Sequence, residues 1–225
     1  MVQGQQTKAS RSKRLELILQ QLDGLPTLPA IAARLLQLTV RDNTQASEVV
    51  RLLESDPALA TKIISLVTRG ETRLRKQSAS VSKAVVLLGF DTVRSAVLSI
   101  KVFETLSQGG EEFKGPVERS EFWKHSLSVA CAAKMLCRHI DQKIDPEEAF
   151  LCGLLHDMGK AALDAALPRS YARVVQITED SLACIDDVER RVLGVDHCLV
   201  GKRLAQRWLM PDSVVETVWL HPQAH

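Results

Sequence analysis

At 225 residues, with 45% hydrophobic side chains, the chain has enough apolar material for one large domain or two small ones, which excludes general disorder. A net charge of +2, from 29 basic and 27 acidic residues spread along the chain, disfavours nucleic acid or an anionic membrane surface as partner, and no apolar run approaches the ~20 residues of a membrane span. Aromatic residues make up only 4% while Ala, Leu, Val and charged residues dominate, a composition that predicts an all-α protein.

Residues 1–14, MVQGQQTKASRSKR, carry charge with no apolar stretch behind them and read as a flexible leader rather than a secretory signal. From Arg11 to Asp23 the spacing of Leu15, Ile18, Leu19 and Leu22 predicts a first helix, stopped by Gly24 and Pro26 within LPTLP. A second helix is expected from about Pro29 through Ile31, Leu35, Leu36 and Leu38 to Asp42-Asn43. Thr44 or Ser47 is placed to cap a short helix through Leu53, and Ser55-Asp56-Pro57 to start another, ALATKIISLV, that breaks at Thr68-Arg69-Gly70. Behind it a polar loop holds Arg73, Arg75 and Lys76. Without an aromatic platform it reads as a solvated loop before it reads as an anion contact. Ser80 or Ser82 caps SKAVVLLG, Gly89 ends it, and Asp91 starts DTVRSAVLSIKVFETL. The segment SQGGEEFKGP, with its adjacent glycines and its Gly-Pro, divides the chain at about residue 115.

The second half opens with a helix over Glu118–Ile140, in which Phe122, Leu127, Val129, Ala130, Ala133 and Leu136 form an apolar face that also contains His125. Next comes EEAFLCGLLHDMGK, Glu147 to Lys160. Phe150, Leu151, Leu154 and Leu155 keep a helical period, so the polar pair His156-Asp157 emerges at the helix end from an apolar wall, two potential metal ligands on rigid backbone. A short helix follows, then one started by Pro168 through Tyr171 and Ile177, one from Ser181 towards Leu193-Gly194, one over Asp196–Leu209, and a last from Pro211-Asp212 to His221. His125, His197, His221 and the terminal His225 are placed where they could converge on His156-Asp157, with His139 the bystander.

Each of these residues has a structural alternative. His156 and Asp157 serve equally well as a buried hydrogen-bonded pair between helices, and His125 as a satisfied core histidine. Lys160 fits a solvated helix-end cation, Cys152 a small buried thiol, and Trp123, Trp208 and Trp219 packing at helix contacts. Five cysteines without a C-x-x-C pair, in a chain without an export signal, predict reduced thiols and a cytoplasmic location.

The segments LPTLP at 25–29, SDPALATKI at 55–63, SVSKAVVLLGFDTVRSAVLS at 80–99, FWKHSLSVA at 122–130, EEAFLCGLLHDMGK at 147–160 and GVDHCLVGKRLAQRWLMPDSVVETVWLH at 194–221 recur in a specific order and spacing. The chain thereby resembles an HDOD domain, a bacterial signalling module related to the HD phosphohydrolase superfamily, over nearly its whole length from Leu25. One departure is local: Thr68-Arg69-Gly70 stands where family members carry an Asn-Ser-Ala-like turn. The resemblance implies a multi-helix bundle with an N-terminal helical half at 15–115 and an HD-like half at 116–225.

It also implies a site. In the HD superfamily pattern His125, His156, Asp157 and His197 are metal ligands, with His221 a further ligand or its partner, and imidazole with carboxylate suits Fe, Mn, Zn or Co. Such a metal serves phosphomonoester and phosphodiester hydrolysis, with Asp157 and Lys160 in catalytic roles if the protein is an enzyme. Against this, His221-Pro222 stands where the cyclic-dinucleotide hydrolases of the HD-GYP group have two adjacent histidines, and the HDOD family is regarded as non-catalytic. The reading is therefore a regulatory signal-transduction module acting through a signalling protein partner, a fused domain or a ligand. The alternative is a metal-dependent phosphohydrolase acting on a nucleotide or cyclic dinucleotide.

Overall fold

Helix-start chemistry and apolar period carry over directly into a computed structural model that describes residues 20, 27–39, 46–70, 80–107, 119–140 and 144–223. Among the described residues the secondary structure is helical, without a strand, so the protein is all-α. The leader, most of the predicted Arg11–Asp23 helix, the basic loop with Arg73, Arg75 and Lys76, most of the glycine-rich boundary segment and His225 lie outside the described residues. No described helix is long and apolar enough to cross a membrane.

The chain divides into two units, of which the first covers Leu28–Thr105. It contains α1 (Ala30–Thr39), α2 (Ala46–Glu54), α3 (Pro57–Gly70), α4 (Val81–Leu88) and most of α5 (Phe90–Ser107). Asp56 starts α3 by accepting the Leu59 amide through Oδ1 at 3.0 Å, with Pro57 supplying a fixed φ where no amide proton is needed. Of the two candidate serines it is Ser80 that caps α4, accepting the Lys83 amide at 3.2 Å. Gly89, at φ +81°, turns the chain into α5. Leu35, Val49, Leu53, Leu59, Ile63, Val85, Val93 and Val97 interlock in an apolar core.

The other unit, from Leu106 onward, holds α6 (Arg119–Leu136), a 3-10 turn at Cys137–His139, α7 (Pro146–Leu155), α8 (Met158–Ala166), α9 (Pro168–Ser181), α10 (Ile185–Val192), α11 (His197–Arg207), α12 (Asp212–Leu220) and a 3-10 turn at His221–Gln223. Here α6 packs on α7, α8 on α11, and α11 on α12. The buried stripe of α6 differs from the predicted apolar face: Leu127 and Leu136 are exposed, while Ser126 is buried with the predicted Ala130. The reason lies opposite, in Gly153 of α7, where a Cβ would stand 2.8 Å from the Ala130 Cα. Small side chains let the two helix backbones meet, and bulky leucines are turned outward.

A second difference concerns α9, which runs to Ser181, the predicted start of the next helix, while that helix starts at Ile185. Leu182 ends α9 at φ 53°, a left-handed conformation normally left to glycine, so the sequence offered no stop signal. Trp208 is buried as predicted, whereas Trp219 is part-exposed with the Lys202 ammonium 3.1 Å above its ring centre.

Candidate metal centre

The predicted apolar helix ends at Leu155, and the His156-Asp157 pair forms an elbow before α8 starts at Met158. His156 keeps helical angles (φ −50°, ψ −39°), but Asp157 swings to φ −98°, ψ 11°, so the two adjacent side chains point into the same interior space. Gly159 explains how the elbow meets its partners. A Cβ there would lie 1.8 Å from the His197 carbonyl oxygen and 2.9 Å from the Gly201 amide nitrogen, so α8 and α11 touch backbone to backbone. That contact carries His197, the first residue of α11, to Asp157. Asp196 fixes where α11 begins by accepting the Leu199 amide at 2.9 Å.

Five predicted residues converge. His156 Nε2 is 3.2 Å and His125 Nε2 3.5 Å from Asp157 Oδ2, while His221 Nε2 is 3.2 Å and His197 Nε2 3.7 Å from Asp157 Oδ1. The histidines form two pairs, His125 with His156 and His197 with His221, each with its Nε2 atoms 3.3 Å apart. Asp157 stands between the pairs and presents one oxygen to each. His139 is exposed in its 3-10 turn and does not belong to the cluster.

The outer ring nitrogens set the protonation of the inner ones. His156 Nδ1 lies 2.7 Å from the Gly153 carbonyl, His221 Nδ1 3.1 Å from the Val218 carbonyl, and His197 Nδ1 2.6 Å from Glu189 Oε2. Those acceptors assign the ring proton to Nδ1, so that in the neutral rings the Nε2 lone pairs face inward. An imidazole in that tautomer cannot donate to Asp157, and Asp157 Oδ1, fully buried, has no hydrogen-bond donor. Burial alone would push the Asp157 carboxyl up, but the Lys160 ammonium, whose Nζ is 2.7 Å from Oδ2, draws it below the ordinary carboxylate range. The cluster is thus an ionised carboxylate ringed by converging lone pairs, with an orphaned buried oxygen at its centre. Those residues fit a divalent cation bound by imidazole nitrogens and carboxylate oxygens.

Two neighbours that sequence reasoning missed complete the surroundings. Cys198 lies with His197 and His221, but burial, and then the carboxylates of Asp196 and Glu189, push its thiol up to about 12, so it stays protonated. Glu189 of α10 is completely buried and reaches His197 from outside the cluster. Its only sequence signal is a carboxylate beside Val188 on the inward face of a short helix. On the other side a cavity of about 640 Å³ opens between α6, α7 and α12 and reaches His156 and His221. Its walls include Leu136, Ile140 and Ile144, and among the described residues its acids are Glu148 and Glu216.

The HDOD domain family profile matches residues 25–224. An HDOD domain protein with unknown function from Geobacter sulfurreducens superposes with a TM-score of 0.78 at 28% identity, over 95% of this chain and 71% of that one. A candidate phosphohydrolase from Shewanella amazonensis gives 0.75 at 28% identity, over 92% and 73%. A candidate signal transduction protein from Marinobacter aquaeolei gives 0.80 at 24% identity, over 96% and 51%, a likeness of fold. The chain spans only 41% and 34% of the lengths of two curated relatives that it matches.

Proposed function

Since this chain belongs to the HDOD domain family, we propose that it works as a regulatory module of bacterial signal transduction, whose HD-like half holds a divalent cation at His125, His156, Asp157, His197 and His221 and which acts through a protein contact rather than by turnover. The carrying observation is the buried Asp157 Oδ1, without a donor and flanked by Nε2 lone pairs. A cation there would meet Oδ1 together with the His197 and His221 nitrogens, beside the neighbouring group of His125, His156 and Asp157. Lys160 supports the regulatory side of the reading: its ammonium is spent on Asp157 Oδ2, which leaves it poorly placed to clamp a phosphoryl group. So does the cavity beside the histidines, whose acids Glu148 and Glu216 repel a polyanion such as a nucleotide. All five cysteines are free, in keeping with a reducing cytoplasm. The partner is a signalling protein or a fused domain.

The second reading is the phosphohydrolase, with Asp157 and Lys160 in its reaction and a nucleotide or cyclic dinucleotide as substrate. The half-exposed His125 favours it, because the cluster is open on that side. Bound there, Fe, Mn, Zn or Co would supply an acidified water and polarise a phosphoryl oxygen. Elemental analysis of protein purified without chelator, against the His156→Ala/Asp157→Ala double variant, tests both readings. The expected result is near-stoichiometric metal in the wild type, loss in the variant, and no release of nitrophenol from bis(p-nitrophenyl) phosphate and no cleavage of a cyclic dinucleotide. Metal-dependent turnover abolished in the double variant replaces the module with the hydrolase. Absence of metal before and after reconstitution, with the helical fold intact, removes the metal from both.

A further inference from the structure

Glu189 is the one fully buried acid in the described residues, at 0% exposure, and a buried carboxylate needs a reason. Its oxygens are completely satisfied. Oε1 accepts the Tyr171 hydroxyl at 3.0 Å, and Oε2 accepts both the His197 backbone amide at 2.7 Å and the His197 ring at Nδ1, 2.6 Å away. Burial, and after it the Glu189 charge, drive the Tyr171 phenol far above its ordinary range, so it remains a donor. Two donors come from a single residue, one from its main chain and one from its ring. The carboxylate therefore fixes the ring relative to the backbone that carries it, and the opposite nitrogen, Nε2, is left facing Asp157 Oδ1 and His221 Nε2.

We infer that Glu189 is the positioning residue of the centre, setting the tautomer and orientation of His197 through a Tyr171–Glu189–His197 chain. The inference rests on the metal reading of the cluster for its consequence, but the tautomer itself is a property of the metal-free protein. Carboxylates behind a ligating histidine raise its basicity and lock its ring, and their loss typically weakens metal binding by about 10–100-fold. A purely structural role also exists on the same atoms: Glu189 accepts the first amide of α11 and lies at the positive end of that helix. The two roles differ in what they do to the ring.

The test uses the full chain, with Glu189→Gln as the near-isosteric variant and Asp196→Ala as a control that removes the other cap of α11 without touching the His197 ring. Long-range proton–nitrogen spectra of the apo protein at about pH 8, where free imidazole is neutral, report the His197 tautomer. Cobalt(II) titration reports affinity. The inference expects Nδ1–H in the wild type, a mixed Nδ1–H and Nε2–H population in Glu189→Gln, and a roughly 10–100-fold weaker cobalt affinity there, with Asp196→Ala near wild type on both. An Nε2–H ring in the wild type overturns it even if Glu189→Gln does not fold. An unchanged tautomer in Glu189→Gln, or equal affinity losses in both variants, reduces Glu189 to a helix cap. Absence of cobalt binding in the wild type fails the metal reading instead, and the spectra still decide what Glu189 does to the ring.

Discussion

The two halves of the chain handle charge in opposite ways. In the unit over Leu28–Thr105 the core is apolar and the ions lie at its rim: Lys101 Nζ bonds Asp56 Oδ2 at 2.8 Å and Glu104 Oε2 at 3.0 Å, and Lys62 pairs with Glu104. In the unit from Leu106 onward Asp157, Glu189, His156 and His197 are all buried, together with Asp164. Ions at a rim cost little desolvation and return little stability, whereas ions inside cost several kcal/mol each unless every lone pair and proton is met. Among the described residues the buried acids lie in this unit, which points to a use other than stability. Substitutions that treat the halves alike should give unlike results.

Glycine gives the largest contrast. Gly89 takes φ +81° with open space around its would-be Cβ, so Gly89→Ala should cost the ~1–3 kcal/mol of backbone strain and leave the core intact. Gly159→Ala meets the His197 carbonyl oxygen at 1.8 Å, a backbone atom that cannot swing aside, and Gly201 just behind it. Separating α8 from α11 should cost roughly 3 kcal/mol or more. Urea unfolding followed by circular dichroism measures both. Equal midpoints for the two variants would mean that α8 and α11 part without penalty and that the elbow is not pinned.

Much of this was readable beforehand. His156 and Asp157 stood out because they interrupt an apolar helical period, and His125, His197 and His221 were joined to them through the resemblance to the HD pattern. That the helix ends at His156-Asp157 was readable, but the turn that sends both side chains inward was not, since no glycine or proline marks it and Gly159 comes two residues later for a steric reason. Glu189 was hidden by its neighbours. IDDVERRV has two other acids and two arginines, and nothing local distinguishes the inward carboxylate from Asp186 and Asp187, which with Asp196 pair with the exposed Arg190. Its role depends on a histidine eight residues later, beyond the reach of helical periodicity. The α6 face went wrong for a related reason: large apolar residues were taken as buried, while the partner's Gly153 selected small ones.

A middle-sized effect probes the buried chain from its far end. Tyr171→Phe deletes the hydroxyl that donates to Glu189 Oε1 and keeps the ring, which is itself fully buried. The orphaned carboxylate oxygen should cost about 1–3 kcal/mol in urea unfolding. A value near zero would mean that water enters beside Glu189, and the contrast between the halves would lose its strongest buried example.

The smallest effect comes from the rim. Lys101→Met keeps the packed stem and removes the ammonium from Asp56 and Glu104. At neutral pH it should cost under about 1 kcal/mol, the range of partly exposed pairs. Its pH dependence is more telling. The hydrogen bond from Lys101, then the Leu59 amide, hold the Asp56 carboxyl below its ordinary 3.8. A depressed carboxylate contributes stability that is fully present above the ordinary value and is lost as pH falls through the lower folded one. The gap between wild type and Lys101→Met should thus be constant from pH 7 down to about 5, then shrink below 3.8 as Asp56 takes up its proton. A gap that persists undiminished in acid would assign the loss to packing of the lysine stem, and the rim would then hold this half together by apolar contact alone.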